Sequence, residues 1–503
     1  MTAPVYLGPI YLGIDLGTQS VRVMAVAEDG AVLASAAEPL QSTREEARHE
    51  QEPEHWWRAV VFCCRLVMGE LGSGAEIKGL AVDATSGTIL LMDDGLRALT
   101  PGLMYDDGRA RDEAVRVNEA GGALWSELSY RMQPSWALPK LLWLARHTAI
   151  APGAHLAHQN DFIHARLAGR LLPTDSSNSL KTGYDFIRQQ WPAAILDELG
   201  LDLTLFPEVV LPGKPIGKVC AAAASETGLP AGTPVFAGMT DGCAAQIASG
   251  ATTPGSWNSV IGTTLVIKGV TRELLHDPLG VVYSHRSADG LWLPGGASST
   301  GAGAIAKEFS PADLLALNNA ALEMEPTQLV VYPLAGEGER YPFSAPGAHG
   351  FTFSKMSEAA SEQERYRAVL QGIALIERLA FDALRHIGAS TGGSFTVSGG
   401  ATKSEALNQI RADVLERELS MPRVTECAFG MAMLAAAHAS SIAEVTDRMI
   451  HIERTVSPKR AFGAYAEQYA TLIHELARRE WLPQPLADAA LRGADAALRG
   501  AGA

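Results

Sequence analysis

The stretch GIDLGTQSVR, residues 13–22, ends an apolar run with an acidic residue and follows it with a tight polar turn. Such a turn can present backbone N–H groups and hydroxyls to a polyphosphate without much positive charge. Asp15 can order the water shell of Mg²⁺, which keeps most of its waters and takes one or two carboxylates. Arg22 can face the oxygens of a transferred phosphoryl group. The phosphate-binding candidates of the turn are Gly17, Thr18, Gln19 and Ser20.

Two further turns of this kind occur in the second half of the chain. GSWNSVIGTTLVIKGV predicts a strand, a turn at Gly262, Thr263 and Thr264, and a second strand. FTVSGGATKSEALNQIRADVL predicts a strand, a glycine pair and a helix that starts near Ser404. The first of these turns is a second phosphate clamp, and the other is large enough for a phosphate or a nucleoside.

The elements that must position these turns follow a mixed α/β pattern. The chain opens with a predicted β-meander, continues with a helix over about 53–71, and then gives two strands in IKGLAVDATSGTILLMDDG. Because 503 residues exceed what one core usually holds, and the strand–turn–strand opening recurs downstream, we expect two domains of related topology. We expect them at 1–250 and 251–482, followed by a tail over 483–503, where repeated glycines weaken a helix.

Six motifs together resemble the FGGY carbohydrate kinases over about residues 11–437. They are GIDLGTQSVR, PKLLWLARH, AGMTDGCAAQIASGA, IGTTLVIKG, PLAGEGERYPF and SGGATKSEALNQIRADVL. The resemblance implies two RNase H-like domains of the actin, sugar kinase and Hsp70 superfamily, with an active-site cleft between the domains. It also implies ATP and Mg²⁺ as cofactors and a small sugar as the acceptor.

The resemblance places Asp241, in GMTDGC, where the family has its general base, and it implies that Asp15 and Asp241 hold Mg²⁺ through water. A positioned carboxylate can accept the proton of an attacking alcohol. The alternative for Asp241 is a cap for the following helix. The family packs backbone against adenosine at Gly399 and Gly400. The other residues implied near the nucleotide are Lys403 and Ser404.

The residues near the sugar lack the Gln-Met-His set of xylulose kinases, and VDATSGTILLMD most resembles the D-ribulose kinases. This resemblance implies phosphorylation of D-ribulose to D-ribulose 5-phosphate, with D-xylulose or another pentulose or polyol as the alternative acceptor. Ser86, Asp15 and Asp241 would then approach the ketose. Asp83 and Thr85 are further candidates, although an acid at the end of a buried strand is as often a turn residue. Asp106 and Asp107 resemble an acidic stretch that contacts substrate in some family members.

The composition excludes several other classes of protein. A formal net charge of −15 and the absence of a basic cluster argue against nucleic-acid binding. No apolar run reaches membrane-spanning length, and no signal peptide is apparent, so we expect a cytoplasmic enzyme without a membrane partner. The five cysteines show no metal-ligand spacing. A homodimer is common in the family, and a non-catalytic, actin-like ATP-binding protein is the alternative of a different class.

Overall fold

The computed structural model of the chain describes residues 8–72, 74–353 and 360–501. Its strands, in chain order, are β1 (Pro9–Leu16), β2 (Ser20–Ala27), β3 (Val32–Pro39), β4 (Thr43–Glu45), β5 (Arg48–Gln51), β6 (Glu76–Ala84), β7 (Ile89–Met92), β8 (Gly102–Leu103), β9 (His155–His158), β10 (Thr174–Asp175), β11 (Val209–Val210), β12 (Pro215–Lys218), β13 (Pro234–Phe236), β14 (Trp257–Ile261), β15 (Leu265–Gly269), β16 (Tyr283–Arg286), β17 (Trp292–Ala297), β18 (Val330–Glu339), β19 (Ala345–Phe353), β20 (Phe395–Ser398), β21 (Leu419–Pro422) and β22 (Ile452–Val456).

The helices lie between these strands and at the end of the chain. They are α1 (Pro53–Leu71), α2 (Arg111–Glu127), α3 (Ala137–His147), α4 (Gln159–Ala168), α5 (Ser176–Ser179), α6 (Ala193–Glu198), α7 (Ala221–Thr227), α8 (Asp241–Ala248), α9 (Gly303–Glu308), α10 (Leu314–Glu323), α11 (Glu362–His386), α12 (Glu405–Leu415), α13 (Cys427–Ala436), α14 (Ile442–Met449), α15 (Ala466–Arg478) and α16 (Gln484–Ala501). Within the described ranges, no helix is both long and apolar enough to cross a bilayer.

The chain divides into two compact units, each with its own apolar core. Unit 1 comprises Met1–Thr252, His285–Leu293 and Val424–His451. Its main sheet has the order β12-β13-β6-β1-β2-β3. The first three strands form an antiparallel meander, whereas β6 runs parallel to β1 and β13 runs parallel to β6. The carboxyl ends of β1, β6 and β13 therefore share one edge of this sheet.

Unit 2 comprises Thr253–Ser284, Pro294–Arg423 and Ile452–Ala503. Its main sheet has the order β16-β17-β15-β14-β20-β21-β22. Strands β14 and β15 are antiparallel, as are β15 and β17, whereas β20 is parallel to β14 and β21 is parallel to β20. This pattern repeats that of unit 1, so the prediction of an α/β protein with two domains of related topology is confirmed.

The division of the chain differs from the expected one in three places, and the first is that His285–Leu293 belongs to unit 1. Segment 424–451 belongs to unit 1, although the sequence places it in the second domain. Helix α13 of this segment is apolar on every side, so the spacing of its apolar residues does not show which sheet the helix covers. The expected tail is instead helix α16, which packs on α15 and α11 and buries Leu486, Ala487, Ala490 and Ala494 in the core of unit 2. Burial of this face offsets the low helix propensity of its two glycines.

Candidate active site

Two carboxylates stand side by side where neighbouring strands of unit 1 end. In the sheet register, Asp15 on β1 is opposite Asp83 on parallel β6 and opposite Arg22 on antiparallel β2. Asp83 is fully buried, and neither of its oxygens meets a hydrogen-bond donor of another described residue. The carboxyls of Asp15 and Asp83 are close enough to share a proton, and this interaction lowers the pKa of Asp15 and raises that of Asp83, so the proton lies on Asp83. Ligands of α/β proteins bind at such strand ends.

Asp241 joins this edge from the next parallel segment of the same sheet. Thr240 forms a bridge with Ala84, which ends β6, and its N–H donates to Ser177 Oγ at 3.1 Å. Asp241 is then the first residue of α8, and its Oδ1 accepts a hydrogen bond from Gly242 N at 2.6 Å. The charge of Asp241 raises the pKa of both Asp15 and Asp83, so the three carboxyl groups form one electrostatic cluster.

The pKa values in this cluster show a site in which burial and negative charge outweigh the positive charge of Arg22. Burial is the main cause that raises the pKa of Asp15 to about 6, and the charge of Asp241 adds to it. The Asp83 hydrogen bond and the charge of Arg22 act in the opposite direction. Burial, followed by the charge of Asp15, raises the pKa of Asp83 well above its ordinary range. Carboxylates with unsatisfied oxygens fit a hard divalent cation, so the residues present fit Mg²⁺.

The predicted phosphate turn, Gly17–Ser20, is held in place by side chains that the sequence analysis did not identify. Gly17 N donates to Ser20 O at 3.0 Å, which closes the turn between β1 and β2. Gln51 Nε2 donates to Thr18 O at 2.7 Å, and Trp56 Nε1 donates to Gln51 Oε1 at 2.7 Å. Trp56 and Gln51 thus fix the backbone of the turn from inside the protein.

The segment after β8 brings Tyr105 to the same cluster. Tyr105 is 40% exposed and lies close enough to Asp241 for that charge to raise its pKa, although burial is the larger cause and the nearby Thr18 side chain acts in the opposite direction. Asp106 pairs with His49 and with Arg44, the latter at 2.9 Å. Because Asp106 remains partly exposed, it is still a candidate substrate contact.

Asp107 has a structural role instead. It is fully buried, accepts a hydrogen bond from His49 N at 2.8 Å, and forms an ion pair with Arg109 at 2.6 Å. Arg109 also pairs with Glu50 at 2.5 Å. These contacts fix the segment that carries Tyr105 and leave Asp107 no exposed surface for a sugar.

Lys140 is a buried cation behind this segment. It donates hydrogen bonds to Leu103 O at 3.1 Å and Met104 O at 2.6 Å, and burial lowers its pKa to about 7, against the opposing charge of Asp107. Between pH 7 and 10 the unfolded chain therefore holds a proton on this residue that the folded chain has released, and folding becomes more favourable as the pH rises.

We expect Lys140→Met to remove this contribution. Because one pKa unit corresponds to about 1.4 kcal/mol, the free energy of unfolding of the wild type should gain about 4 kcal/mol over the variant between pH 7 and pH 10. Urea unfolding at both pH values measures the change. The matched control is Lys218→Met, at an exposed position of β12. A constant difference between wild type and Lys140→Met would contradict the burial argument.

The two hydroxyls predicted near the sugar have different surroundings. Thr85 Oγ1 bonds to Gln159 Oε1 at 2.8 Å and to Thr88 Oγ1 at 2.5 Å, so this hydroxyl is already engaged. Ser86 Oγ is buried without a hydrogen-bond partner among the described residues. The backbone around it is fixed, because Lys181 Nζ donates to Ser86 O at 2.9 Å. Ser86 therefore has a hydroxyl that no described residue engages, although this hydroxyl has no exposed surface in the structure.

In unit 2, the two predicted nucleotide turns follow the parallel strands β14 and β20. Gly262 N donates to Thr264 O at 3.0 Å, and Gly303 N donates to Thr263 O at 3.0 Å, so this turn is fixed to the start of α9. Gly399 follows β20 with φ of 90° and begins a 3₁₀ turn over Gly400–Lys403. The remaining two candidates differ in exposure. Ser404 caps α12 and donates to Asn318 Oδ1 at 2.5 Å, whereas Lys403 is exposed.

The backbone at position 399 accepts only glycine, whereas the backbone at position 400 has room for a larger residue. A Cβ atom at Gly399 would approach Ile261 O to 2.5 Å in a backbone conformation that L-residues rarely adopt, whereas a Cβ at Gly400 would meet nothing within 4 Å. We expect Gly399→Ala to lower the free energy of unfolding by about 2–3 kcal/mol and Gly400→Ala to change it by less than about 0.5 kcal/mol. Chemical denaturation of the two variants measures this difference, and equal effects would contradict the packing of β20 against β14.

The structure also brings a cysteine to the acidic cluster. Cys427 Sγ donates to Asp241 O at 3.4 Å, and its thiol lies beside the carboxylates of Asp15 and Asp83. Helix α13 can come so close because β1 has Gly13, where any Cβ would overlap the carbonyl of Ala428. Neither Cys427 nor Tyr105 has a motif of its own in the sequence, and Cys427 reaches the site only through the packing of α13 in unit 1.

Comparison with known proteins identifies both halves of the chain. The N-terminal domain of the FGGY family of carbohydrate kinases matches residues 10–248, and the C-terminal domain of that family matches residues 257–439. Xylulose kinase of Bacillus subtilis is 25% identical, over 92% of this chain and 95% of that protein. Apulose kinase of Pectobacterium atrosepticum is 26% identical, over 82% of this chain and 86% of that protein. The crystal structure of xylulose kinase from Rhodospirillum rubrum aligns with a TM-score of 0.84 at 25% identity, over 93% of this chain and 98% of that one.

Proposed function

We propose that this chain, which belongs to the FGGY family of carbohydrate kinases and is an ATP-dependent sugar kinase, phosphorylates a pentulose, with D-ribulose as its preferred acceptor. The observation that carries this proposal is the acidic cluster of unit 1. Three adjacent strand ends each deliver a carboxylate, and a small-residue turn lies directly beside them.

In the proposed reaction, Asp241 is the general base. An alcohol is a weak nucleophile at neutral pH, and a carboxylate that accepts its proton as the bond to phosphorus forms raises the rate. The hydrogen bond from Gly242 N and the anchoring of Thr240 by Ser177 hold this carboxylate in position. Arg22 and the turn Gly17–Ser20 would contact phosphoryl oxygens.

Asp15 and Asp241 would hold Mg²⁺ through water, and Asp83 would support Asp15 from the adjacent strand. The cation, when bound, neutralises charge on the transferred phosphoryl group. Gly262, Thr263 and Thr264 would bind phosphates of ATP. The residues proposed near the rest of the nucleotide are Gly399, Gly400, Lys403 and Ser404.

The choice of D-ribulose rests on the sugar-facing residues. D-ribulose and D-xylulose differ only in the configuration at C3, so a side chain that bonds the C3 hydroxyl can discriminate between them. Ser86 has a hydroxyl that bonds to none of the described residues, and it belongs to the stretch VDATSGT, which resembles the D-ribulose kinases. The names of the relatives favour xylulose or apulose instead, and D-xylulose is therefore the second candidate.

Steady-state ADP formation with ATP and Mg²⁺ tests the proposal across D-ribulose, D-xylulose, L-ribulose, glycerol and no acceptor. We expect the highest kcat/KM with D-ribulose. We expect Ser86→Ala to lower this kcat/KM about tenfold, which is what the loss of one hydrogen bond to the sugar would cost. Ser225→Ala, at an exposed position of α7, is the matched control. A higher kcat/KM with D-xylulose would leave the kinase assignment intact and show that D-ribulose is wrong. Turnover that does not depend on any sugar would contradict the pentulose proposal.

A further inference from the structure

A thiol and two carboxylates converge at the acidic cluster of unit 1. One ligand atom each from Asp15, Asp83 and Cys427 lies within 4.8 Å of the other two. Ligand atoms around a tetrahedral Zn²⁺ stand roughly 3.3 to 3.8 Å apart, given its bond lengths to oxygen and sulfur. Small rotations of these side chains would therefore bring all three atoms to bonding distance of one ion.

The unsatisfied carboxylate of Asp83 points independently to a bound cation. Asp83 is fully buried, and neither of its oxygens accepts a hydrogen bond from another described residue. A carboxyl buried in this way must hold a proton unless a cation takes its place, and a cation between the three groups would replace that proton. The burial that keeps water from Asp83 also prevents water from replacing this carboxylate as a ligand of the ion.

The thiol determines which cation fits best. Mg²⁺ prefers oxygen ligands in an octahedral shell with several waters, whereas thiolate ligands favour Zn²⁺ and other soft ions. A nearby cation also favours the thiolate form of a cysteine ligand. Three protein ligands would leave a fourth position on a tetrahedral ion open to water or substrate.

We propose that Asp15, Asp83 and Cys427 form a binding site for one thiophilic divalent cation of the Zn²⁺ class. Because Asp15 is also the proposed water-mediated ligand of Mg²⁺, occupancy by this ion excludes Mg²⁺ and inhibits the kinase. The inhibition rests on the proposed function, whereas the binding site does not.

Titration of the full-length protein with Cd²⁺ tests the site without any assay of activity, because a cadmium–thiolate bond gives an ultraviolet charge-transfer band. We expect the wild type to develop the band with one equivalent of Cd²⁺, and Cys427→Ala and Cys427→Ser to lose it. Cys220→Ala, which removes a half-buried thiol elsewhere in unit 1, should retain it. Asp83→Asn should weaken Cd²⁺ binding at least about tenfold. Absence of the band in the wild type, or its persistence in both Cys427 variants, would overturn the site.

Inhibition by Zn²⁺ in the presence of Mg²⁺ and ATP tests the competition. We expect Zn²⁺ to inhibit the wild type and Cys220→Ala, and we expect the Zn²⁺ concentration for half inhibition to rise at least about tenfold in Cys427→Ala. Unchanged inhibition in Cys427→Ala, combined with loss of the Cd²⁺ band, would overturn the competition while the binding site stands. Absence of kinase activity with every acceptor would instead refute the proposed function, and the Cd²⁺ titration would still decide the metal site.

Discussion

Asp241→Asn is expected to lower kcat for sugar phosphorylation by about 10²- to 10⁴-fold, the usual contribution of a general base. The substitution removes the proton-accepting carboxylate and keeps a side-chain oxygen that can accept the hydrogen bond from Gly242 N. It also removes one charge from a cluster in which the charge of Asp241 raises the pKa of Asp15 and Asp83. Steady-state kinetics with the preferred sugar, together with thermal unfolding, measures both effects.

The same experiment separates catalysis from helix capping. The N-cap of α8 is Thr240, so a purely structural role of Asp241 is to accept the hydrogen bond from Gly242 N. Asparagine can accept the same bond, so such a role would leave both activity and stability nearly unchanged. We expect the stability to be retained and the activity to be lost. Asp197→Asn, at an exposed position of α6, makes the same chemical change away from the cluster and should leave kcat unchanged. A kcat of Asp241→Asn within tenfold of the wild type would rule out the general base.

The sequence predicted local elements well where the signals are local. Helix α1 has the predicted bounds because Pro53 occupies its first turn and Gly72, with φ of 78°, follows its last residue. The turn Gly17–Ser20 lies between β1 and β2 as expected, since the apolar runs on both sides can form only a hairpin across so short a connection. The recurrence of this hairpin as β14 and β15 was visible for the same reason.

The spatial partners of these elements could not be predicted in the same way. Asp83 stands beside Asp15 because β6 pairs in parallel with β1 in one register, and a distant parallel pairing leaves no local signal. Cys427 joins them because α13 packs against β1 and α8. The sequence therefore named the acids and turns that the proposed chemistry uses, and their roles stay predictions, whereas Tyr105, Gln51 and Cys427 became visible only after the chain was folded.

Arg411→Met is expected to produce the largest loss of stability among the substitutions considered. In unit 2, Arg411 on α12 and Glu377 on α11 are fully buried and form a bidentate ion pair, with Nε–Oε2 at 2.7 Å and Nη2–Oε1 at 2.8 Å. Ser259 on β14 donates to the same carboxylate at 2.5 Å. Removing the guanidinium leaves a buried charge with one hydroxyl partner, so the free energy of unfolding should fall by about 3–5 kcal/mol.

The loss of stability in Arg411→Met should come from the buried, unpaired carboxylate of Glu377. The absence of an ion pair should not by itself cost stability. Arg478→Met, which removes an exposed partner of Glu475 and leaves the Glu475 pair with Arg479, should change the free energy of unfolding by less than about 0.5 kcal/mol. The double variant Arg411→Met with Glu377→Leu should recover most of the loss, because two apolar side chains can replace a buried pair at little cost. Urea unfolding of the three variants measures these free energies. If the double variant were as unstable as Arg411→Met, the ion pair itself would stabilise unit 2.

This ion pair also matters for the proposed nucleotide site. It joins β14, which leads into the turn at Gly262, to α12, which follows the turn at Gly399. Because both turns depend on the positions of these elements, Arg411→Met should weaken ATP binding, and the double variant should restore much of it. Isothermal titration with ATP at a temperature where each variant remains folded measures the effect. Unaltered affinity in Arg411→Met would show that the two turns keep their places through the direct packing of Gly399 on Ile261 alone.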